Sequence, residues 1–391
     1  MFTQLISSVF DGIGIASVLL IVALGLAIVF GLMGVINLAH GELMMLGAYT
    51  TYVVQNVFKQ FDSPALMNIY IFVAIPLAFL VAALVGLALE KSVICYLYGR
   101  PLETLLATWG VSLILRQFVR SVNTAMIIGI VIFCVLFFGG QWALKKFADW
   151  DRVRPWAMPT LSILSSAIAL LSMYLMNQAS LKWLTSLWFS ARNVDVTAPP
   201  WLRGGLAIGN GIQLPYARVF IIVLTALCVL GIYWFLNRSA WGLRIRSVTQ
   251  NRNMSACLGI PTGTVDALTF ALGSGLAGIA GFAVTLLGSV GPNLGGNYIV
   301  DAFMVVVVGG VGKILGSIVA ALAIGVLTYV IGSGTIPLLL SPYPALQPIT
   351  DFFTFFATTS MAKVMVFALI IVFLQFRPAG IFPQKGRMVD A

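Results

Sequence analysis

The chain has 391 residues, of which 60% are hydrophobic and 9% charged, with a mean hydropathy of +1.03 and a net charge of +10. Soluble domains carry about 25% charged residues, so a cytosolic enzyme, a nucleic-acid-binding domain and a disordered chain are excluded. At roughly 20 residues per membrane span, the length divides into a stack of spans rather than into soluble domains.

In chain order the apolar runs are 12–35, 43–58, 66–89, 103–119, 125–140, 157–178, 216–236, 266–288, 299–332 and 361–376. No Lys or Arg precedes Lys59, and the run Ile13–Val35 exceeds a signal-peptide core, so it is expected to be a retained span. The run 299–332 is too long for one span at about 1.5 Å rise per residue. Gly309, Gly310, Gly312 and Lys313 interrupt it, which predicts two spans, or one span and a re-entrant half helix. The expected fold is all-α: a polytopic integral membrane protein of about 10–11 transmembrane helices with broken or re-entrant segments.

Basic residues concentrate in four breaks: Lys91 and Arg100; Lys145, Lys146, Arg152 and Arg154; Arg238, Arg244, Arg246 and Arg252; and Arg377, Lys385 and Arg387. All four can face the cytoplasm. The lightly charged segments 59–65, 191–215 and 333–357 then face outward. Cys95, Cys134, Cys228 and Cys257 show no Cys-x-x-Cys pairing, and neither a disulfide framework nor a zinc site is expected.

The break 238–262 differs in kind. Gly259-Ile260-Pro261 is a helix-stop pattern, which predicts one short basic helix over 244–258. Its amides, Gln250, Asn251 and Asn253, suit a cytoplasmic docking surface; an ordinary positive-inside loop is the competing reading.

Two glycine motifs mislead. Gly309-Gly310-Val311-Gly312-Lys313 fails the Walker A spacing, because Val307 and Ile314 stand where Gly and Ser or Thr are required. Gly273-Ser274-Gly275-Leu276-Ala277-Gly278 fits G-x-G-x-x-G but lies inside an apolar span. Close helix packing through Gly273, Gly275, Gly278 and Gly281 is the expectation.

The run Asn37-Leu38-Ala39-His40-Gly41-Glu42 separates two apolar segments and holds the sole histidine. Polar groups at membrane depth are costly and usually face a cavity or a partner, so Asn37, His40 and Glu42 are expected beside a cavity or at a broken helix. An interfacial turn is the alternative. Glu103, Arg116, Asp266 and Asp301 are anchors or salt-bridge partners, and Asp301, following Gly295-Gly296-Asn297-Tyr298, is a further pathway candidate. With one imidazole and no paired carboxylates, no catalytic or metal site is expected, and the chain is not read as an enzyme.

Gly34-Val35-Ile36-Asn37-Leu38-Ala39-His40-Gly41-Glu42 resembles the first signature of permease subunits of branched-chain amino acid and urea ABC importers. Arg100–Gly110, Ala191–Trp201, Val290–Gly295 and Asn297–Phe303 look like the urea branch in particular, and Arg244–Pro261 is similar to the family's coupling segment. The likeness covers most of 12–120 and 191–330 and the tail around Phe376–Gly380. It implies a single permease domain over 1–391, with 124–190 an inserted pair of helices, 238–262 the coupling segment, and 333–360 a long connector.

The resemblance also implies an inner (plasma) membrane subunit that moves urea or short-chain amides. Asn37, His40, Glu42, Thr108, Asn297 and Asp301 would line the pathway, and Arg244, Arg246, Gln250, Asn251, Arg252, Met254 and Gly259 would contact the ATPase. Its implied partners are a second permease subunit, two cytoplasmic ATPase subunits that hydrolyse the ATP, a periplasmic substrate-binding protein and membrane lipid. It carries no cofactor of its own and binds no nucleic acid. A branched-chain amino acid permease and an ATPase-independent transporter or channel are the competing functions.

Overall fold

The first apolar run folds as α1 (Phe2–Ile28), which passes into a π-helical turn, Val29–Met33, and stops where Gly34 takes φ +70°. After the irregular stretch 34–39 come α2 (His40–Lys59), α3 (Pro64–Ser92, with Pro64 in its first turn and Pro76 inside it) and α4 (Pro101–Ser121). Then follow α5 (Thr124–Phe147), α6 (Trp150–Gln178) and a hairpin of β1 (Gly205–Ile208) and β2 (Ile212–Pro215). The hairpin is antiparallel, with Gly205 opposite Pro215 and Ile208 opposite Ile212. With the isolated bridges Asn123–Leu187 and Val194–Val290, it is the β structure among the described residues of an otherwise helical chain.

The second half holds α7 (Tyr216–Arg238), α8 (Ala240–Gln250), α9 (Arg252–Cys257), α10 (Thr262–Thr285), α11 (Leu294–Gly309) and α12 (Ile314–Gly332). The short α13 (Thr335–Leu340) and α14 (Gln347–Phe355) precede α15 (Thr359–Phe376). This computed structural model describes residues 2–61, 63–147, 150–178, 186–189, 192–208, 212–342 and 346–382. They form two compact units, 1–113 with 194–391, and 114–193.

Among the described residues, eight helices are long and apolar enough to cross a membrane. The expected ten or eleven included three helices of another kind. α2 carries His40, Glu42, Gln55 and Lys59, α4 carries Glu103, Arg116 and Arg120, and α11 is apolar but only 16 residues long. The run 299–332 is divided into α11 and α12 at Gly310–Lys313.

In the larger unit α10 packs against α1, α2 and α3 with backbones nearly touching. A Cβ placed on Gly281 would collide with the Met44 carbonyl, and one on Gly278 with the Ala78 carbonyl. Small residues at helix crossings permit this approach in membranes, and that is what the false dinucleotide motif encodes. The buried Phe270 and Phe282 flank the crossing.

The unit has two chemically different ends. At one, Gln55 Nε2 and the Tyr70 hydroxyl both donate to the Thr197 carbonyl, at 2.6 and 2.9 Å, and Trp201 Nε1 donates to the Asn68 carbonyl. Glu90, joined through Tyr98 to Arg252 of the basic segment, lies about 30 Å further along α3 at 1.5 Å per residue. This separation matches the sorting of lightly charged from basic segments.

In the smaller unit α5 and α6 lie antiparallel, Gly129 against Met173 and Gly140 against Leu161. Asn123 bridges Leu187, and the Trp188 amide donates to the Val122 carbonyl at 3.0 Å. This unit contains the segment 124–190, of which 148–149, 179–185 and 190 lie outside the described residues. Lys385 and Arg387 of the basic tail also lie outside them.

Candidate functional site

The irregular stretch after α1 is a buried polar break. The Asn37 side-chain oxygen accepts from the Ala39 amide at 3.0 Å, which closes the turn that launches α2. His40 is fully buried, and its Nε2–H donates to the Val22 carbonyl at 3.1 Å. Glu42 is 1% exposed, and its Oε1 accepts from Ser112 Oγ at 3.1 Å. Thr108 Oγ1 accepts from the Leu38 amide at 3.2 Å.

Sequence spacing explains the second wall. Thr104, Thr108 and Ser112 recur every fourth residue on α4 and are all buried, so one helical stripe faces the break. The opposite stripe is exposed, with Leu102, Leu106 and Trp109 at 82%, 66% and 52%. A third wall is α11, where a Cβ on Gly295 would strike Gly41 and the Glu42 carboxyl carbon.

Asn37, His40, Glu42 and Thr108 therefore converge. Asn297 and Asp301 form a second group further along α11. Asp301 Oδ2 meets Lys363 Nζ of α15 at 2.6 Å, Lys363 also donates to the Asn297 carbonyl at 3.4 Å, and the Asn297 side chain is exposed. Lys363 was passed over in the sequence, although a lone cation in the apolar run 361–376 is the signal that calls for a carboxylate partner. Ser112 gave no sequence signal, because its partner lies 70 residues away.

The basic segment is two helices, not the one expected over 244–258. Asn251 is extended, with φ −153°, and its side chain caps α9 by accepting from the Met254 amide at 2.9 Å. Asn and Asp compete with helical hydrogen bonding in this way. α9 ends on Gly259 at φ +80°, and the Ile260 amide donates back to the Ser255 carbonyl at 3.1 Å, a Schellman closure.

Arg252 turns inward. Its Nη2 meets Asp266 Oδ2 at 2.6 Å, and its guanidinium lies 4.8 Å from the centre of the Tyr98 ring. The Tyr98 hydroxyl donates to Glu90 Oε1 at 3.1 Å. Burial, together with the Asp266 and Glu90 carboxylates, holds the Tyr98 phenol above its ordinary range, so it remains a donor. Arg252 thus ties α9 to α10 and to the turn after α3 while its side chain stays 45% exposed.

Residues 8–374 match the family described as the branched-chain amino acid transport system permease component. The chain belongs to this family. Similar proteins include the high-affinity branched-chain amino acid transport system permease protein BraD of Pseudomonas aeruginosa, 26% identical over 81% of this chain and 82% of the relative. The corresponding permease proteins LivH of Salmonella typhimurium and Escherichia coli are 25% and 24% identical, over 97% of this chain and 96% of theirs. No solved structure matches significantly. The chain is accordingly a permease subunit of the inner membrane and not an enzyme. The nearness to the urea branch suggested by Arg100–Gly110 finds no support in these relatives.

In the permease, the outer face of the basic segment is apolar and cationic together. Leu243, Met254 and Leu258 are 60%, 59% and 74% exposed. Arg244 stacks over Trp241 at 4.7 Å, and Arg246 reaches Asn237 at 3.3 Å. Gln250 is exposed at the end of α8. Leu243 and Leu258 join Met254 as a surface that charge patterning alone overlooks. Gly259→Val should leave membrane insertion intact but cost about 1–3 kcal/mol, because a β-branched residue cannot hold that φ without strain. Substrate uptake at normal expression, compared with wild type, checks it, and unchanged uptake would refute the role of this stop.

Proposed function

We propose that this subunit moves branched-chain amino acids inward across the membrane, driven by ATP that separate cytoplasmic subunits hydrolyse and supplied by a substrate-binding protein. The match over residues 8–374 carries this reading. The exposed apolar stripe of α4 supports pairing with a second permease subunit, which would place Asn37, His40, Glu42 and Thr108 one helix away from a shared pathway. Asn297 and Asp301 would shape the neighbouring wall. Leu243, Arg244, Arg246, Gln250, Met254 and Leu258 would seat on the ATPase. Asn251, Arg252 and Gly259 would hold that surface in position, and the chain Arg252–Asp266 and Tyr98–Glu90 would pass its movement to α10 and α3.

Reconstitution in vesicles with the ATPases and the binding protein tests this. Leucine uptake should require ATP and be suppressed by excess isoleucine or valine but not by urea. Urea uptake without leucine uptake would restore the urea reading. The permease subunit alone should hydrolyse no ATP, since Val307 and Ile314 break its one phosphate-loop pattern.

A further inference from the structure

α14 lies in the connector between the spanning helices α12 and α15, and its residues sort by chemistry around its axis. At about 100° per residue, Gln347, Thr350, Asp351 and Thr354 fall on one arc, and Ile349, Phe352, Phe353, Phe355 and the capping Phe356 fall on the other. Thr350 Oγ1 donates to the Leu346 carbonyl at 3.1 Å and Thr354 Oγ1 to the Thr350 carbonyl at 2.7 Å. Gln347 and Asp351 therefore carry that arc's affinity for water.

The apolar arc stays open among the described residues. Ile349, Phe352 and Phe355 are 46%, 54% and 67% exposed, and Phe353 and Phe356 are half-buried behind them. The rings form one chain, with centroids 5.6 Å apart for Phe353 and Phe352, 5.1 Å for Phe352 and Phe356, and 5.2 Å for Phe356 and Phe355. Contiguous apolar surface of this kind marks an interaction site.

Packing fixes its depth. α12 has 19 residues, about 28 Å at 1.5 Å per residue, which matches the hydrocarbon of a bilayer. Lys313 precedes one end of α12, so Gly332 marks the opposite edge. The chain leaving α14 comes back to that edge. A Cβ on Gly334 would lie 3.6 Å from the Ala357 Cβ, and one on Gly332 would lie 3.3 Å from the Ala362 Cβ. Phe355 is two residues before Ala357, so the phenylalanines stand where hydrocarbon gives way to water.

We propose that α14 lies in the plane of the membrane at this edge, with Ile349, Phe352 and Phe355 among the lipid chains and Gln347 and Asp351 in water. The bilayer is the occupant that the depth selects. Phenylalanine side chains hold no donor or acceptor for a protein partner to meet, and a soluble protein that comes and goes would leave them in water between visits. Between Lys313 and Lys363 the sole charged residue is Asp351, so anionic headgroups are not what draws the helix down. Spanning helices at both ends keep it at the surface, and burial of its apolar arc holds it there. The assignment rests on the spans α12 and α15 and not on the transported substrate.

The full-length protein in phosphatidylcholine nanodiscs would carry a nitroxide on a genetically encoded p-acetylphenylalanine, which leaves the native cysteines unlabelled. Single labels would stand at 347, 352 and, as the lipid-facing reference on α15, 371, where Ile371 is 54% exposed. Oxygen concentrates in hydrocarbon and a nickel chelate in water, and each shortens the label's relaxation on collision. The ratio of oxygen to nickel access at 352 should approach that at 371 and exceed that at 347 several-fold. Phe352→Asp with Phe355→Asp should lower the ratio at a label on 349 several-fold and leave 371 unchanged. Equal ratios at 352 and 347, or an unchanged ratio at 349 in the double variant, would overturn the proposal. So would protection of 352 from both reagents, which would mean that protein and not lipid covers the patch.

Discussion

Arg252→Ala should damage the permease more than Asp266→Asn, and the double variant should recover part of the loss. Asp266 is only 4% exposed in its side chain, whereas Arg252 is 45% exposed. Removing the arginine strands a buried carboxylate, for which about 3 kcal/mol is expected, the low end for a broken buried pair because this one is partly open to water. Removing the carboxylate charge leaves an arginine that water and the Tyr98 ring can still accommodate, at about 1 kcal/mol. With both charges gone no ion is stranded. Melting temperatures of the three purified variants give the stability order. The ratio of substrate moved to ATP hydrolysed gives the functional one. If the contact transmits movement from α9 to α10, Arg252→Ala should lower that ratio while hydrolysis continues. Equal melting points for the single variants would mean that Asp266 is neutral in the wild type or solvated through another route.

Periodicity and composition made the spans legible, because a run such as Ile13–Val35 has no alternative to helix in hydrocarbon. Three of the expected spans, α2, α4 and α11, stand apart because polar residues or shortness lower their apolar signal. α2 hides His40 against α1, Glu42 against α4 and α11, and Gln55 against α3, so its mean polarity says nothing of its depth. Gly259 could be read as a stop because its neighbours Ile260 and Pro261 carry the local rule. The break at Asn251 could not, since an amide mid-segment caps or projects according to tertiary context. Likewise Arg252 looked like part of a solvated basic face until Asp266, fourteen residues on, proved to be its partner. Pairings such as Ser112 with Glu42 and Lys363 with Asp301 join distant elements, and no spacing rule reaches them. Substrate class was the least legible feature: the motifs resembling the urea branch lie among backbone turns and helix starts, such as Pro101 and Asn293, which fix architecture more than chemistry.

Glu42→Gln should slow leucine transport by about tenfold or more while changing the melting temperature little. A carboxylate at that depth is expensive to keep, and such groups face a pathway or a partner. Glutamine preserves the volume beside Gly295 and an oxygen to accept from Ser112 Oγ, so packing and the 3.1 Å contact can survive. What it removes is negative charge next to a route that, on the proposed function, an ammonium group must travel. A tenfold loss corresponds to about 1.4 kcal/mol of barrier, modest for one charge in a low-dielectric setting. Ser112→Ala supplies the contrast. It keeps the carboxylate but removes a donor to it, so about 1.5–3 kcal/mol of stability should go with a smaller effect on transport per folded molecule. Transport at the wild-type rate in Glu42→Gln, with Ser112→Ala no more stable, would show that Glu42 serves to anchor α2 on α4 and that the amino acid passes elsewhere. A tenfold loss in Glu42→Gln alone, with melting unchanged, would place the charge of Glu42 on the path itself.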